Sequence, residues 1–383
     1  MPTQGIDILK HLVSQRLSRI EGQGRLRRLL PLTPQSSETL DLTHNDYLAF
    51  RYDPEFQKLA YEAAKAWPMG AGASRLLGGE HLIYETLESA FSLWKGCETS
   101  LYFASGYAAN EALMTALAQK DVEFFSDSLN HASLIDGLRL ARIEPHQKQI
   151  FDHNDMQALR DKLSLSQASL KIVVTESLFS MDGDEAPLQE LITLCREFGA
   201  LLVLDEAHAL GVYGAKGSGL VEAAGLDHDE IITINPCGKA MAASGAFVSG
   251  PLWLKHLLIN SARSFIYSTG ASPWLAAGLH AGMKRVADAG DRRQHLAEIA
   301  SSLRSELQIL GCNIGLSTKH IIPLILASEE RSLEVERRLS ERGILARAIR
   351  PPTVPEGECR LRLSLHAGVT NLEPLLTALK DIL

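Results

Sequence analysis

Three apolar stretches decide the fold of this chain: LKIVVTE at residues 170–176, LLVLDEAH at residues 201–208 and IITINPCGK at residues 231–239. Each begins as a nearly unbroken run of aliphatic and β-branched residues and ends in polar side chains. Such runs are typical of strands buried on both faces, as in parallel sheets that helices cover on each side. The stretches therefore predict an α/β fold whose polar strand ends meet at one edge of the sheet.

Strand-like runs on either side of these three extend the predicted sheet. They are LYFA from Leu101, VEFFS from Val122 and AFVS from Ala246, and helical stretches separate them. Strands that alternate with helices form βαβ units, in which strand pairs are parallel. Residues 45–275 are therefore predicted to form one large α/β domain, with a mostly parallel central sheet and helices on both faces.

The two ends of the chain predict smaller parts. Residues 1–44 contain an amphipathic segment that precedes Gly22 and the stretch from Pro31 to Pro34, which predicts a helical N-terminal arm with a connector. Residues 276–383 alternate helical runs with the strand-like sequences IIPLIL and RLRLSL. This second pattern predicts a smaller C-terminal α+β domain.

Composition and charge exclude several kinds of partner. The chain has 383 residues and a net charge of −8, and 45% of its residues are hydrophobic. It therefore lacks the basic surface that binds the phosphates of nucleic acid. Its five cysteines form no Cys-x-x-Cys pair, and no run of about 18 apolar residues occurs. We expect a cytoplasmic protein with no metal centre, no secretion signal and no membrane or nucleic-acid partner.

Chemically active side chains follow the strand-like runs. Asp205 and His208 end the stretch LLVLDEAH, and Lys239 follows IITIN after a short turn. A carboxylate beside a lysine suits pyridoxal phosphate (PLP), because the carboxylate keeps the pyridine nitrogen protonated while the lysine forms an imine with the aldehyde. The sequence therefore predicts a PLP-dependent enzyme.

Further residues complete the predicted site. His131, in DSLNHASLIDG, is expected to place a flat imidazole on the cofactor ring, and Ser177, in VVTESLFSMDGD, offers a hydroxyl to the ring oxygen together with His208. Gly106 and Tyr107 open a helix after LYFA, where N–H groups and the helix dipole can bind a phosphate. Any one of these residues alone is more often a helix cap or a hydrogen-bonded loop residue. Their joint position at strand ends favours a site.

Eight motifs follow one another along nearly the whole chain: HNDYLAF, GAGASRLLGG, FASGYAANEAL, DSLNHASLIDG, VVTESLFSMDGD, LVLDEAHALGVYG, GKAMAASGAFV and IYSTGASP. In this order they resemble the motifs of the α-oxoamine synthases. That family consists of fold-type-I PLP enzymes, acyltransferases that join an amino acid to an acyl thioester with loss of carbon dioxide. The tail AIRPPTVPEGECRLRLSLHA is most similar to that of the member in biotin biosynthesis, which condenses L-alanine with a pimeloyl thioester.

The resemblance implies a role for each residue of the predicted site. Lys239 would bind PLP as a Schiff base and act as the catalytic base, Asp205 would pair with the pyridine nitrogen, and His131 would stack on the ring. His208 and Ser177 would contact the ring oxygen. Lys239, His131, Asp205 and His208 are thus the predicted catalytic residues.

The resemblance also implies how the phosphate is bound. Gly106 and Tyr107 would donate backbone N–H groups, and Ser268 or Thr269 of the neighbouring subunit would donate a hydroxyl. A homodimer with active sites at the subunit interface is therefore implied. Pro236 stands where the family usually has a phosphate-binding threonine, and a proline offers neither a hydroxyl nor an N–H.

Two departures from the family motif lie around the lysine. Because Pro236 removes one phosphate contact, PLP is expected to bind about tenfold to a hundredfold more weakly, unless Asn235, Cys237 or Ser244 supplies the contact. Ala242 also replaces a usual glycine. These departures leave open a catalytically weak PLP-binding paralogue.

Substrate contacts implied by the resemblance come from His131 together with Arg27, Thr353 and Arg362. Arg362 would hold the carboxylate of the amino acid, which a planar guanidinium binds through two hydrogen bonds. The implied partners are L-alanine and a pimeloyl thioester, carried by coenzyme A or by acyl carrier protein. Another reaction of the family, such as glycine with acetyl-CoA giving 2-amino-3-ketobutyrate, remains open.

Overall fold

The computed structural model describes residues 4–29 and 39–383, so the predicted connector from Pro31 to Pro34 lies outside the described residues. The helices are α1 (Gln4–Gly22), α2 (Pro54–Ala64), α3 (Leu82–Lys95), α4 (Gly106–Leu117), α5 (Ala132–Leu140), α6 (Met156–Leu165), α7 (Leu188–Phe198), α8 (Leu220–Ala223), α9 (Leu252–Ser261), α10 (Arg263–Ile266), α11 (Pro273–Ala287), α12 (Gly290–Ile309), α13 (Glu329–Ser340) and α14 (Glu373–Ile382). The strands are β1 (Leu40–Asp41), β2 (Thr99–Phe103), β3 (Val122–Asp127), β4 (Lys148–Phe151), β5 (Leu170–Glu176), β6 (Ala200–Asp205), β7 (Ile231–Pro236), β8 (Ala246–Gly250), β9 (Ile321–Ala327), β10 (Ile344–Leu345), β11 (Arg347–Ile349) and β12 (Cys359–Ser364).

Contacts between residues divide the chain into two compact units. The large unit contains residues 45–298 and 366–368, and the small unit contains residues 1–44, 299–365 and 369–383. The predicted boundary after residue 44 coincides with a division between the units. The predicted boundary after residue 275 does not, because α11 and the first half of α12 belong to the large unit. Three consecutive domains therefore remain a prediction.

A seven-stranded sheet forms the centre of the large unit. Its strand order is β2-β8-β7-β6-β5-β3-β4. The five strands β7, β6, β5, β3 and β4 are parallel to one another, whereas β8 is antiparallel to both β7 and β2. The predicted α/β fold with a mostly parallel central sheet is confirmed.

Hydrophobic side chains cover both faces of this sheet. Along β5, Ile172 and Val174 pack in one core cluster with residues of α4, α5 and α9, and Val173 packs in a second cluster with residues of α6 and α7. Successive side chains of a strand point to opposite faces. The unbroken apolar runs of the sequence therefore arise because both faces are buried.

The predicted strand runs all correspond to strands, but β4 was not predicted. Its sequence, KQIF, holds two apolar residues, and most of the strand is partly or fully exposed at the sheet edge. In the small unit, β9 and β12 contain the predicted runs IIPLIL and RLRLSL and pair antiparallel in a three-stranded sheet. In the described part of the chain, no helix is long and apolar enough to span a membrane.

A buried ion pair links α3 to the end of β6 in the large unit. Nζ of Lys95 contacts a carboxylate oxygen of Glu206 and the carbonyl oxygen of Ser218, the latter at 2.6 Å. Both charged side chains are 0% exposed. Glu206 also accepts the N–H groups of Leu220 at 2.6 Å and Val221 at 3.1 Å. This network fixes the chain immediately after Asp205.

Lys95→Met is expected to lower the free energy of unfolding by about 3–5 kcal/mol, because it leaves the carboxylate of Glu206 buried without its cation. Urea denaturation of the two proteins measures this difference. The control is Lys65→Met, since Lys65 pairs with Glu62 on the surface and is 57% exposed. An equal midpoint for Lys95→Met and the wild type would contradict the expected cost.

Candidate active site

A cavity opens at the edge of the large-unit sheet where β5, β6 and β7 end. Its volume is about 380 Å³, within the roughly 300–1,000 Å³ that small-molecule sites occupy. The predicted site residues that line it are Gly106, Tyr107, His131, Asp205, His208, Pro236 and Lys239. Polar side chains from strand ends far apart in sequence therefore meet in one cavity, as expected for the carboxyl edge of a parallel sheet.

Asp205 is the last residue of β6 and is 4% exposed. Its Oδ2 accepts a hydrogen bond from Nδ2 of Asn110 at 2.7 Å, and its Oδ1 accepts the N–H of Ala207 at 2.8 Å. Two N–H donors stabilise the charged form of a carboxylate. Asp205 therefore presents a fixed negative charge at the floor of the cavity.

His131 is connected to Asp205 through side-chain hydrogen bonds. Nδ2 of Asn110 donates to Oγ of Ser133 at 2.8 Å, and Oγ of Ser133 lies 2.7 Å from Nδ1 of His131. The backbone N–H of Ser133 also donates to this Nδ1 at 3.2 Å. Because Nδ1 accepts, the hydroxyl of Ser133 donates to it and the imidazole carries its proton on Nε2.

The electrostatic surroundings favour this neutral imidazole. Desolvation in the cavity lowers the pKa of His131, and the charge of Lys239 lowers it further, while Asp205 acts in the opposite direction. The ring is therefore uncharged at neutral pH. An uncharged flat ring at the cavity wall suits contact with an aromatic ligand.

Asn110→Ala is expected to weaken PLP binding about tenfold to a hundredfold, because it removes a hydrogen bond to the charged Asp205 and the link to Ser133. Absorbance titration of the apoprotein with PLP gives the dissociation constant. Asn260→Ala, at an exposed asparagine of α9, is the matched control. Equal affinities for the Asn110 variant and the wild type would show that the amide does not position Asp205.

His208 and Ser177 lie beside Asp205 in different surroundings. Nδ1 of His208 is 2.5 Å from the hydroxyl of the fully buried Tyr47, so a phenol holds the edge of the imidazole and leaves its faces uncovered by that ring. Ser177 is 0% exposed, and both its N–H and its Oγ donate to the carbonyl oxygen of Asp205, at 2.9 and 3.4 Å. His208 lines the cavity, whereas Ser177 does not belong to its lining among the described residues. A contact between Ser177 and a ring oxygen stays a prediction.

The N-terminus of α4 forms one wall of the cavity. Ser105 caps the helix by accepting the N–H of Ala108 at 3.2 Å, and the first intrahelical bond runs from Ala109 N–H to Ser105 O. The N–H groups of Gly106 and Tyr107 precede that bond, so they are available to an anion at the positive end of the helix dipole.

Pro236 packs directly against this helix start. A Cβ atom added to Gly106 would lie 2.8 Å from Cγ of Pro236, so only glycine fits there. Of the three residues considered as substitutes for the missing threonine, Ser244 lines the cavity. Asn235 and Cys237 are 0% exposed and bond elsewhere. Nδ2 of Asn235 donates to Oγ1 of Thr233, and Sγ of Cys237 donates to the carbonyl oxygen of Asn235.

The turn that carries Lys239 holds a residue in a strained conformation. Lys239 O accepts the N–H of Ala242 at 2.9 Å, and Ala242 has φ of 49°. A residue with a Cβ atom costs about 1–2 kcal/mol in this left-handed region, which glycine adopts freely. The replacement of the usual glycine by Ala242 therefore has a structural cost.

The remaining predicted residues lie outside the cavity lining. Ser268 and Thr269 are exposed on the large unit after α10. Arg27, Thr353 and Arg362 belong to the small unit, where Nη2 of Arg27 donates to Oγ1 of Thr353 at 3.3 Å and Nη1 of Arg362 donates to Oγ of Ser364 at 2.6 Å. Among the described residues, no cluster of His, Cys, Asp or Glu could hold a metal ion.

Sequence reasoning missed several polar residues of the site. Asn110, Ser133 and Glu176 line the cavity, and Tyr47 holds His208. A sequence signal existed for Asn110, a polar residue within the apolar run of α4 and one helical turn after Gly106. No comparable signal distinguishes Glu176 from its neighbour Ser177.

Comparisons with known proteins place the chain among PLP enzymes. The sequence profile of the aminotransferase class I and II family matches residues 37–379. Proteins named 8-amino-7-oxononanoate synthase from Anaeromyxobacter dehalogenans (strain 2CP-1) and Azoarcus sp. (strain BH72) are each 39% identical to this chain. The alignments cover 97% of this chain and 95% of the first relative, and 94% and 93% for the second.

Solved structures with the same fold include two serine palmitoyltransferases. The enzyme of S. paucimobilis, with a bound adduct of PLP and myriocin, has a TM-score of 0.89 at 25% identity and covers 98% of both chains. That of Sphingomonas wittichii has a TM-score of 0.87 at 27% identity, covering 97% of this chain and 96% of its own. An 8-amino-7-oxononanoate synthase from Francisella tularensis shares the fold, with a TM-score of 0.78 at 23% identity. The alignment covers 91% of this chain and 97% of that protein. The predicted fold-type-I architecture and the predicted cofactor are confirmed.

Proposed function

Because this chain belongs to the aminotransferase class I and II family, we propose that it is a PLP-dependent acyltransferase of biotin biosynthesis, an 8-amino-7-oxononanoate synthase. It joins L-alanine to a pimeloyl thioester and releases 8-amino-7-oxononanoate, carbon dioxide and the free thiol. The convergence of Asp205, His131 and Lys239 in one cavity supports the chemistry. The relatives' names support the substrate pair.

The cavity residues fit PLP. Asp205 offers a fixed negative charge for the pyridine nitrogen, Lys239 an amine for the aldehyde, and the start of α4 two N–H groups for the phosphate, with Gly106 too close to Pro236 for any side chain. When bound, PLP supplies a ring that withdraws electrons from the carbon next to the amino group of the substrate. The protein supplies binding, orientation and proton transfer.

Each residue then has a task that its surroundings support. Asp205 holds its negative charge through Asn110 and Ala207, His131 covers one side of the cavity as a neutral ring, and the amine of Lys239 moves the proton of the substrate carbon. His208, held by Tyr47, and Ser177 are proposed to bind the ring oxygen.

A homodimer is part of the proposal. Ser268 and Thr269 are exposed, and among the described residues they do not line the cavity of their own chain. Their hydroxyls are therefore accessible to a second subunit. We propose that their hydroxyls reach the phosphate of the neighbouring subunit. The substrate contacts of Arg27, Thr353 and Arg362 are likewise proposed, as is a cytoplasmic location.

Pro236→Thr is expected to tighten PLP binding about tenfold to a hundredfold, because a hydroxyl beside Gly106 adds a hydrogen bond to a charged group. Pro236→Val is the matched control, since valine has the shape of threonine without the hydroxyl. Absorbance titration gives the three dissociation constants. If the threonine and valine variants bind PLP equally, Ser244 or another group already supplies the missing contact.

A substrate panel tests the proposed reaction. The holoenzyme is incubated with L-alanine, glycine or L-serine against pimeloyl, acetyl and palmitoyl thioesters, and product mass is measured. The expected product comes from L-alanine with the pimeloyl thioester, on coenzyme A or on acyl carrier protein. If a product formed only from glycine and acetyl-CoA, that pair would replace L-alanine and the pimeloyl thioester as the proposed substrates. If no pair gave a product, the chain would be the catalytically weak PLP-binding paralogue.

A further inference from the structure

Glu176 is a buried carboxyl group for which the proposed reaction has no task. It ends β5, lines the cavity and is 2% exposed. In the parallel pairing of β5 with β6 it lies directly opposite Asp205. Directly opposite residues of neighbouring strands point to the same face of a sheet about 5 Å apart. The floor of the cavity therefore holds two adjacent carboxyl groups.

The two carboxyl groups have unequal partners. Asp205 accepts two N–H donors, one on each oxygen, from Asn110 and Ala207. Oε1 of Glu176 is buried and has no hydrogen-bond partner within the described residues. Two neighbouring carboxylates cannot both be ionised at low cost, and the better-solvated one keeps the charge. The proton of the pair therefore resides on Glu176.

The charged groups around Glu176 agree with this assignment. They are Asp205 on β6, Asp127 on β3 and Lys239 after β7. Burial raises the pKa of Glu176 well above its ordinary value, and the negative charges of Asp205 and Asp127 raise it further. The positive charge of Lys239 opposes these effects.

We propose that Glu176 is a positioning residue that works as the neutral acid. Its missing charge leaves Asp205, directly opposite on β6, as the negative charge of the pair that faces the cofactor ring. An ionised Glu176 would compete with Asp205 for the proton of the pyridine nitrogen and for the positive charge that this proton gives the ring. The proposal uses the proposed function only in taking PLP as the cofactor.

Three variants test the protonation state. Glu176→Gln keeps an uncharged carbonyl of the same shape. Glu176→Leu removes both polar atoms beside Asp205, and Glu190→Gln at an exposed glutamate of α7 is the matched control. PLP dissociation constants come from absorbance titration of the apoproteins. Infrared difference spectra, wild type minus Glu176→Gln, report the state of the carboxyl group without any turnover.

Glu176→Gln is expected to bind PLP within roughly threefold of the wild type, and Glu176→Leu about tenfold more weakly or worse. The difference spectrum should contain the carbonyl band of a protonated carboxylic acid. Carboxylate bands in its place would overturn the proposal. So would a loss of PLP affinity in Glu176→Gln as large as in Glu176→Leu, or a wild-type PLP affinity in Glu176→Leu. If the leucine variant does not fold, the glutamine variant and its spectrum decide. Failure of the substrate panel would leave the infrared result unaffected.

Discussion

Replacement of Lys239 by alanine is expected to lower kcat for product formation about 10²–10⁴-fold, the range for loss of a positioned general base. Lys239 lines the cavity just after β7, and its positive charge acts to lower the pKa of both His131 and Glu176. No other lysine belongs to the cavity lining within the described residues, so none is placed to replace it. Steady-state assays with L-alanine and pimeloyl-CoA measure the loss.

The matched control for this variant is Lys216→Ala, at an exposed lysine of the large unit. Exchange of the α-hydrogen of L-alanine with solvent deuterium gives a second, more direct readout, because it requires proton transfer but no acyl substrate. If Lys239→Ala exchanged this hydrogen at the wild-type rate, the assignment of Lys239 as the base would be wrong.

The second large effect is expected at Asp205. Asp205→Asn keeps the shape of the side chain but removes the negative charge, and it brings its amide against the N–H donors of Asn110 and Ala207. Removing one fixed charge or donor that stabilises developing charge typically costs about 10²–10³ in kcat. We expect a loss of this size, together with weaker PLP binding.

Asp205 and Glu176 lie side by side, but only Asp205 is expected to need its charge. Asp205→Asn should be severe, whereas Glu176→Gln, one strand away, should bind PLP nearly as the wild type does. Asp229→Asn, at an exposed aspartate, is the surface control. Equal kcat for Asp205→Asn and this control would show that the charge of Asp205 does not act on the reaction.

Much of the large-unit sheet could be predicted because its strands are buried on both faces. Ile172 to Val174 and Leu202 to Leu204 have no polar interruption, and only a parallel sheet with helices on both sides buries such runs. Edge strands lack this signal, and β4 was missed for that reason. The pairing of β1 with β10 joins two-residue strands about 300 residues apart, which no local pattern indicates.

The candidate site shows a similar division. The strand ends at Asp205 and Lys239 were visible as polar residues after apolar runs, and both line the cavity. At the end of β5 the sequence favoured Ser177, yet Glu176 lines the cavity. In a run that is apolar on both faces, alternation does not reveal which residue points where, and a shift of one residue reverses the direction of every side chain.

The covalent attachment of PLP tests most directly whether one cavity brings Lys239 and Asp205 to the same cofactor. The holoenzyme is reduced with borohydride, digested, and the modified peptide is identified by mass spectrometry. The expected result is one phosphopyridoxyl group on Lys239, with little labelling in apoenzyme of Asp205→Asn at the same PLP concentration. Labelling of a different lysine, or of Lys239 to the same extent in both proteins, would contradict the proposed site.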